Sequence, residues 1–239
     1  MLFGLIGKKL SHSFSAILFK EKFKRKYDYK LFEIENASEV LKLMANEIDL
    51  RGLNVTIPFK EEIIKYLNHL DSVALKIGSV NTLFIDKNII IGYNTDFIGF
   101  EKAYMKELIK KHKLALIIGT GGSAKAIAFT LNKYGIPYKF VSRTIRNSET
   151  ILYENINNFA KDCTMIINAT PVGMYPDVSK MPDITIEIFN NKPVVIDIIY
   201  NPNKTMLLEK AEKFGCKIYN GMQMLKLQAY ESWKIWGIV

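Results

Sequence analysis

The stretch GLNVTIPFKEEI, Gly52 to Ile63, sets an apolar run of β character against a proline and then a lysine. A strand that surfaces at Pro58 leaves Lys60 in one of two situations. It either begins a solvated helix or reaches back over the strand end, where an ammonium group can handle a proton. Polar side chains cluster at comparable places: Ser13 and Ser15 ahead of a helical stretch, Asn54 and Thr56 beside the lysine, Asn81 and Thr82 after GSV, and Asn94, Thr95 and Asp96 after GY. Singly each is ordinary, since serines cap helices and asparagines suit turns. Jointly they form a polar rim on an otherwise apolar unit, at the strand ends where open α/β sheets bind ligands.

A second constellation follows the apolar run LALII. In GTGGSAKAIAFTL, Gly119, Gly121 and Ala124 make a GxGxxA fingerprint, with Thr120, Gly122 and Ser123 completing the turn. A strand enters, a helix leaves and glycines occupy the turn between them, the context in which the fingerprint signals dinucleotide binding. The first glycine allows the tight turn, the second lets backbone N–H groups reach a pyrophosphate, and Ala124 allows helix and strand to pack closely. The helix N-terminus adds partial positive charge. The next strand ends at Ser142, Arg143 and Thr144, with Ser142 standing 23 residues after Gly119 (142 − 119). That is close to the ~20 residues at which a carboxylate would hold the adenosine ribose of NAD. Arg143 stands there instead, with Arg146 nearby, and a guanidinium fork suits a 2′-phosphate. The pattern favours NADP over NAD; the plain alternative is a pair of strand-end charges in a basic protein.

These groups require elements to carry them. β-rich runs and helical patterns alternate: LFGLI, a helix from about Ser13 to Lys26, YKLFEI, a helix from about Ser38 to Glu47, LNVTI, and a helix starting near Lys60. Such a rhythm predicts a mainly parallel sheet with right-handed crossovers. VNTLFI and IIIGY, separated by DKN, predict a hairpin. A helix from about Asp96 to His112 leads to a second series of strands, LALII, YKFV, TMIINA and PVVIDI, with helices after the first and last. The expected architecture is therefore α/β with two domains. Residues 1–96 with 221–239 form a substrate-binding and catalytic domain, and 97–220 a doubly wound, Rossmann-type cofactor domain. The tail GMQMLKLQAYESWKIW sets Leu225, Ala229, Trp233 and Trp236 on one helical face, which should pack back across a domain.

Bulk properties narrow the class. With 239 residues, 49% hydrophobic and 24% charged, the chain reads as globular rather than disordered. No apolar run approaches the roughly 20 residues of a membrane span, and MLFGLIGKKLSHS puts its short apolar stretch ahead of the lysines, the wrong order for a signal peptide. Cys163 and Cys216 lie far apart without framework spacing, so a reducing cytoplasm is expected. His12, His69 and His112 are scattered, and no metal site is expected. The net charge of +9 raises nucleic acid. Its densest segment, KEKFKRKYDYK, interleaves Phe23 and Tyr27 at helical spacing and reads as a solvated face. Small anionic ligands suit the charge as well, with no nucleic acid and no membrane as partners.

LSHSFS, NVTIPFK, GSVNT, GYNTDFIG, GTGGSAKA, SRT, NATPVGM, DIIYNP followed by Thr205, and NGMQMLKLQA occur in that order across nearly the whole chain. In this the sequence resembles the shikimate dehydrogenase family, two-domain enzymes that reduce 3-dehydroshikimate to shikimate with NADPH in aromatic amino acid biosynthesis. The resemblance implies that Lys60 is the catalytic lysine and Asp96 its partner carboxylate. It implies that Ser13 and Ser15 hold the substrate carboxylate and that Thr56, Asn81, Tyr200 and Gln228 make further substrate contacts, with Asn54 in the same segment. On the cofactor side it implies the glycine turn, Arg143 at the 2′-phosphate, and Thr170, Ile198, Gly221 and Met224 around the nicotinamide.

Three departures stand out. Lys9 and Ala16 replace prolines of the family's serine segment, and Ser142 replaces its usual asparagine, with Arg146 displaced by one place. Only 25 residues separate Arg143 from Asn168 (168 − 143), where the family has room for a helix, a strand and a short helix. ILYENINNFAKDC supplies the strand and short helix alone, so the intervening helix is expected to be missing, leaving one side of the sheet thinly covered near the adenosine end. A relative acting on quinate and a non-catalytic dinucleotide- or shikimate-binding protein are the alternatives, and monomer and homodimer are both open.

Overall fold

The computed structural model describes residues 1–11, 13–24, 26–87 and 89–239, so His12 of LSHSFS, Arg25 of the basic segment and Asn88 of the DKN turn fall outside the described residues. The chain divides into two compact units, Met1–Gly99 with Lys226–Val239, and Phe100–Leu225. Among the described residues each carries a six-stranded sheet.

The first unit runs β1 (Leu2–Gly7), α1 (Ser15–Phe23), β2 (Asp28–Glu33), α2 (Glu39–Asn46), β3 (Leu50–Val55), a 3₁₀ turn at Glu62–Tyr66, β4 (His69–Leu70), α3 (Ser72–Ile77), β5 (Thr82–Asp86), β6 (Ile89–Tyr93) and the start of α4 (Asp96–Leu108). The strand order is β2-β1-β3-β5-β6-β4. β1 pairs in parallel with β2 and β3, as the βαβαβ rhythm requires, whereas β5 and β6 form the expected hairpin and join antiparallel to β3. Register decides where the polar residues meet. Asn54 lies opposite Thr82, and Thr82 opposite Tyr93. The end of β3, the start of β5 and the end of β6 therefore share one end of the sheet.

Two apolar layers hold this sheet. One gathers Ile6, Leu53, Val55, Phe59, Ile63, Leu83 and Ile90. The other is aromatic, with Phe3, Phe19, Phe23, Trp233 and Trp236 joining α1 to the C-terminal helix α7 (Met222–Ile235). The Trp236 ring stacks on Phe3 at 4.8 Å, and its indole nitrogen donates to the Leu83 carbonyl at 2.9 Å. Gly52 is what lets the indole approach, since a Cβ there would collide with Trp236.

The second unit continues from α4 through β7 (Leu114–Ile118), α5 (Gly122–Lys133), β8 (Tyr138–Ser142), β9 (Thr150–Leu152), a 3₁₀ turn at Tyr153–Phe159, β10 (Cys163–Asn168), a 3₁₀ turn at Ile186–Asn191, β11 (Val194–Asp197), α6 (Met206–Lys213) and β12 (Ile218–Tyr219) to the first turn of α7. Its parallel order, β9-β8-β7-β10-β11-β12, is the doubly wound arrangement that reverses direction beside its first strand, β7. Apolar clusters around Ile117 and Ile127 on one face and Leu116 and Ile188 on the other bury the sheet.

Several expectations change. The helix placed at Lys60 is a run of turns followed by the 3₁₀ turn, because Phe59 and Ile63 are both drawn into the core. The helix drawn to His112 ends at Leu108 and departs from helical geometry at Tyr104 (φ −119°, ψ 15°). β4 and α3 had no counterpart in the sequence reading. Local signals exist for α3: Asp71 accepts from Val73 N and Ala74 N at its start, and Gly78 (φ 68°) ends it. Between β8 and β9 the expectation holds: no helix intervenes, and residues 143–149 run as bends and a turn. Seven residues suffice because β9 pairs only with the last three residues of β8, Phe140–Ser142, so the chain retreats a short way before pairing again.

Past its kink, α4 carries Glu107, whose buried carboxylate meets Lys217 at 2.6 Å, Tyr219 at 2.7 Å and Lys110 at 2.8 Å. Burial alone would raise its pKa, yet the hydrogen bonds from Lys110, Lys217 and Tyr219 outweigh it and hold the carboxyl down at about 2. A depressed carboxylate stabilises the fold above its unfolded-state pKa and loses that contribution as pH falls through the folded value. Glu107→Gln should therefore cost about 2 kcal/mol in urea unfolding at pH 7. The difference from the parent should shrink as pH is lowered from 4.5 toward 2; a difference that stays constant over that range would show that the carboxylate is not the source.

Candidate functional site

The chain leaves β3 through Thr56, whose N–H donates to the Ile6 carbonyl at 3.0 Å and whose carbonyl accepts from Phe59 N at 3.0 Å. Phe59 is anchored in the core, and Val80 N donates to the Lys60 carbonyl at 2.8 Å. The lysine backbone is thus fixed from two sides, and its side chain turns inward rather than into solvent. The Lys60 ammonium lies 2.6 Å from Asp96 Oδ2, with side-chain exposures of 13% and 6%. Of the two situations open to Lys60, the second holds.

Asp96 is the first residue of α4, and Asn94 caps that helix by accepting from Phe97 N at 3.3 Å. The other oxygen of Asp96, Oδ1, accepts from Asn81 Nδ2 at 2.8 Å. Asn81 is in turn held by Thr95, whose N–H donates to Asn81 Oδ1 at 2.6 Å. Gln228 of α7 accepts from Asn81 Nδ2 at 3.2 Å and from the Thr95 hydroxyl at 3.4 Å. Behind these lie Thr82 and Ser232, sharing a hydrogen bond at 2.8 Å, and Asn54, which donates to Ser232 Oγ at 3.0 Å and accepts from the Tyr29 hydroxyl at 3.1 Å. The residues read as a polar rim are therefore mostly a buried network: Asn54, Asn81, Thr82, Asn94, Thr95 and Asp96 are all buried. Ser232 is the member the sequence reading missed. Its signal was position, four residues after Gln228 on the same helical face.

Ser13 and Ser15 sit at the start of α1, both partly exposed. Neither caps the helix through its side chain, since the cap residue is Phe14. Ser13 Oγ instead accepts from Ser15 N at 3.3 Å. A hydroxyl pair at a helix N-terminus is suited to an anionic group.

In the second unit, Gly119 follows β7 with φ 103°, a left-handed conformation that disfavours any side chain, and a Cβ there would press on Thr170. Gly121 is the cap residue of α5 without a side-chain hydrogen bond, and a Cβ on it would meet nothing within 4 Å. The turn of Gly119, Thr120, Gly121, Gly122 and Ser123 therefore leaves backbone open at the start of a 12-residue helix, and fully buried Ala124 lets that helix close on the sheet. These residues fit a pyrophosphate. At the end of β8, Ser142 Oγ accepts from Thr144 N at 3.4 Å, while Arg143, Thr144 and Arg146 are exposed.

Thr170 is held by Asn168, Ile198 N donates to the Asn168 carbonyl at 3.1 Å, and Gly221 N donates to the Ile199 carbonyl at 2.9 Å. Met224 is packed into the apolar cluster around Ile117. Tyr200 is partly buried on the loop after β11. Within the second unit the structure thus gathers Thr170, Ile198 and Gly221 at the carboxyl ends of β10 and β11; within the first it gathers Lys60, Asp96, Asn81, Asn54 and Gln228. Among the described residues no group of three or more His, Cys, Asp or Glu could hold a metal, and no helix is long and apolar enough to cross a membrane.

Comparison with known proteins gives a consistent result. Residues 5–83 match the family model described as shikimate dehydrogenase substrate binding domain. The chain is 39% identical to a shikimate dehydrogenase (NADP(+)) of Methanococcus vannielii, over 99% of this chain and 91% of that protein. Among solved structures, shikimate dehydrogenase 1 from Peptoclostridium difficile superposes with a TM-score of 0.89 at 37% identity, covering 99% of this chain and 91% of that one. The shikimate 5-dehydrogenase of Thermus thermophilus, solved with NADP(H) and shikimate, does so with a TM-score of 0.86 at 26% identity, covering 100% and 94%.

Removing the central amide tests the buried network. Asn81→Ala withdraws donors and an acceptor from Asp96, Thr95 and Gln228 together, and should lower stability by about 2–3 kcal/mol in urea unfolding. A loss under about 0.5 kcal/mol would show that the hydrogen bonds around Asn81 act independently of the fold.

Proposed function

The chain belongs to the shikimate dehydrogenase family, and on that premise we propose that it catalyses the reversible NADPH-dependent reduction of 3-dehydroshikimate to shikimate. The observation that carries the proposal is the Lys60–Asp96 contact of 2.6 Å, largely withdrawn from water and held in place by Asn81. Burying an ammonium is costly even when it is paired, and acid–base work at a ketone oxygen is a role that uses it.

The first unit binds the substrate and the second the cofactor. NADPH, when bound, supplies a hydride to the ring ketone carbon. Negative charge then grows on the ketone oxygen, and Lys60 stabilises it and donates the proton that completes the hydroxyl. In the reverse direction the amine accepts that proton. Asp96 keeps the amine aimed, and Asn81 keeps Asp96 from rotating away. Ser13 and Ser15 take the substrate carboxylate at the N-terminus of α1, which fixes the ring. Thr56, Asn81, Tyr200 and Gln228 contact the ring hydroxyls, with Asn54 supporting from behind. On the cofactor side the glycine turn receives the pyrophosphate, Arg143 the 2′-phosphate, and Thr170, Ile198, Gly221 and Met224 the nicotinamide. All these residues come from one chain, so the proposal needs no second copy. Cys163 and Cys216, both buried and free, support a cytoplasmic setting.

The absorbance of NADPH followed with 3-dehydroshikimate tests the activity, and comparison of shikimate with quinate, each with NADP and NAD, tests the substrate. Lys60→Ala should lower kcat by about 10²–10⁴ with little change in substrate affinity; near-normal turnover by well-folded variant would refute the role of the lysine. Arg143→Ala should raise the KM for NADPH by about tenfold or more and leave that for NADH nearly unchanged. Equal losses with both cofactors would place the 2′-phosphate elsewhere.

A further inference from the structure

Three segments of the second unit converge on one carboxylate. Asp197, the last residue of β11, has 0% of its surface exposed. Its Oδ2 accepts from the Thr205 hydroxyl at 2.6 Å, and its Oδ1 accepts from Ile199 N at 3.1 Å and Asn168 Nδ2 at 3.0 Å. Each donor controls a further stretch of chain. Thr205 caps α6 and closes the loop that begins at Ile198. Asn168 Oδ1 accepts from Thr170 N at 3.0 Å and from the Thr170 hydroxyl at 2.7 Å. The Ile199 carbonyl receives Gly221 N, and a Cβ on Gly221 would collide with the Ile198 carbonyl. Tyr104, whose pKa is raised by its own burial and then by the charge of Asp197, donates to the Asn220 carbonyl at 2.8 Å, next to Gly221.

An ionised carboxylate is a costly group to place there. Burial lifts its pKa to about 6 against the pull of Thr205, Ile199 and Asn168, and the hydroxyl, the backbone N–H and the amide that meet it call for an acceptor at both oxygens. An amide could not do the same, because one of its two heads is a donor. Acceptor capacity at both heads is what draws donors from separate segments to a single point.

We propose that Asp197 is a positioning residue for the nicotinamide end of the cofactor, clamping the loops after β10 and β11 through Asn168, Ile199 and Thr205 so that Thr170, Ile198 and Gly221 keep one mutual arrangement. The inference rests on the NADP reading above. Asp197 touches neither reactant; it acts through the residues it holds.

Calorimetric binding of two probes separates this from a merely structural role. NADP⁺ carries both ends of the cofactor, whereas 2′,5′-ADP carries the adenosine and 2′-phosphate without the nicotinamide. In the full chain, Asp197→Ala should weaken NADP⁺ about tenfold or more and leave 2′,5′-ADP within about twofold. Asp197→Asn keeps the volume but turns one acceptor into a donor toward Thr205, whose oxygen already receives Leu208 N. It should weaken NADP⁺ about threefold or more, again without affecting 2′,5′-ADP, and it decides the matter alone should the alanine variant not fold. Equal weakening of both probes, or of neither, overturns the positioning role. Failure of the parent chain to bind 2′,5′-ADP overturns the cofactor reading itself, and this inference with it.

Discussion

A carboxylate withdrawn from water has to be answered at both of its oxygens, and two polar centres of this molecule, around Asp96 and Asp197, are organised by that requirement. Asp96 is answered by an ammonium on one side and an amide on the other. Asp197 is answered by a hydroxyl, a backbone N–H and an amide. The desolvation cost of such groups is several kcal/mol unless the geometry is good, so each tolerates little displacement of its neighbours. Precision in the surrounding loops follows from that intolerance. Lys60 is held where it is because Asp96 admits it there, and Asp96 because Asn81 is itself pinned by Thr95.

The sheets make these meetings possible through register. In the first unit the antiparallel hairpin of β5 and β6 brings Thr82 beside Asn54 and Tyr93, so the loops after β3 and β6 and the one before β5 open at one end. In the second unit the parallel order places the loops after β10 and β11 side by side, Asn168 opposite Asp197. A one-residue slip in either pairing would turn the polar side chains to the other face of the sheet and set apolar ones in their place. Apolar packing along the strands excludes that slip: Leu53 and Val55 sit inside one core, Ile167 and Ile196 inside another.

Much of this was legible in the amino-acid sequence, and the parts that were not share a cause. The glycine turn reads directly because its logic is local: strand, glycines and helix follow one another within a dozen residues, and Gly119 does take the left-handed conformation such a turn needs. The longer strands read equally well from their apolar runs, whereas the two-residue β4 and β12 carry too little pattern to be read. Residue type misled where long-range partners decided the outcome. Asn54, Asn81 and Thr95 look like surface residues, yet they are buried because they satisfy one another, and Ser232, which completes the set, lies 178 residues from Asn54. Asp197 passes for an ordinary strand-end acid until Asn168 and Thr205 are seen around it. The alternating rhythm of strands and helices predicts a helix starting near Lys60. Burial of Phe59 and Ile63 tightened that segment into turns instead.

The seven-residue link between β8 and β9 crosses the end of β8 with residues 143–148 all exposed, although the strands on either side of it are packed. Arg143 and Arg146 are exposed there, so the phosphate proposed to bind at this edge would be held in water, by charge more than by contact. Attraction of that kind is damped within about 8 Å at physiological ionic strength. With Arg143 in the proposed role at the 2′-phosphate, the hold on the cofactor would therefore weaken as the surrounding salt rises.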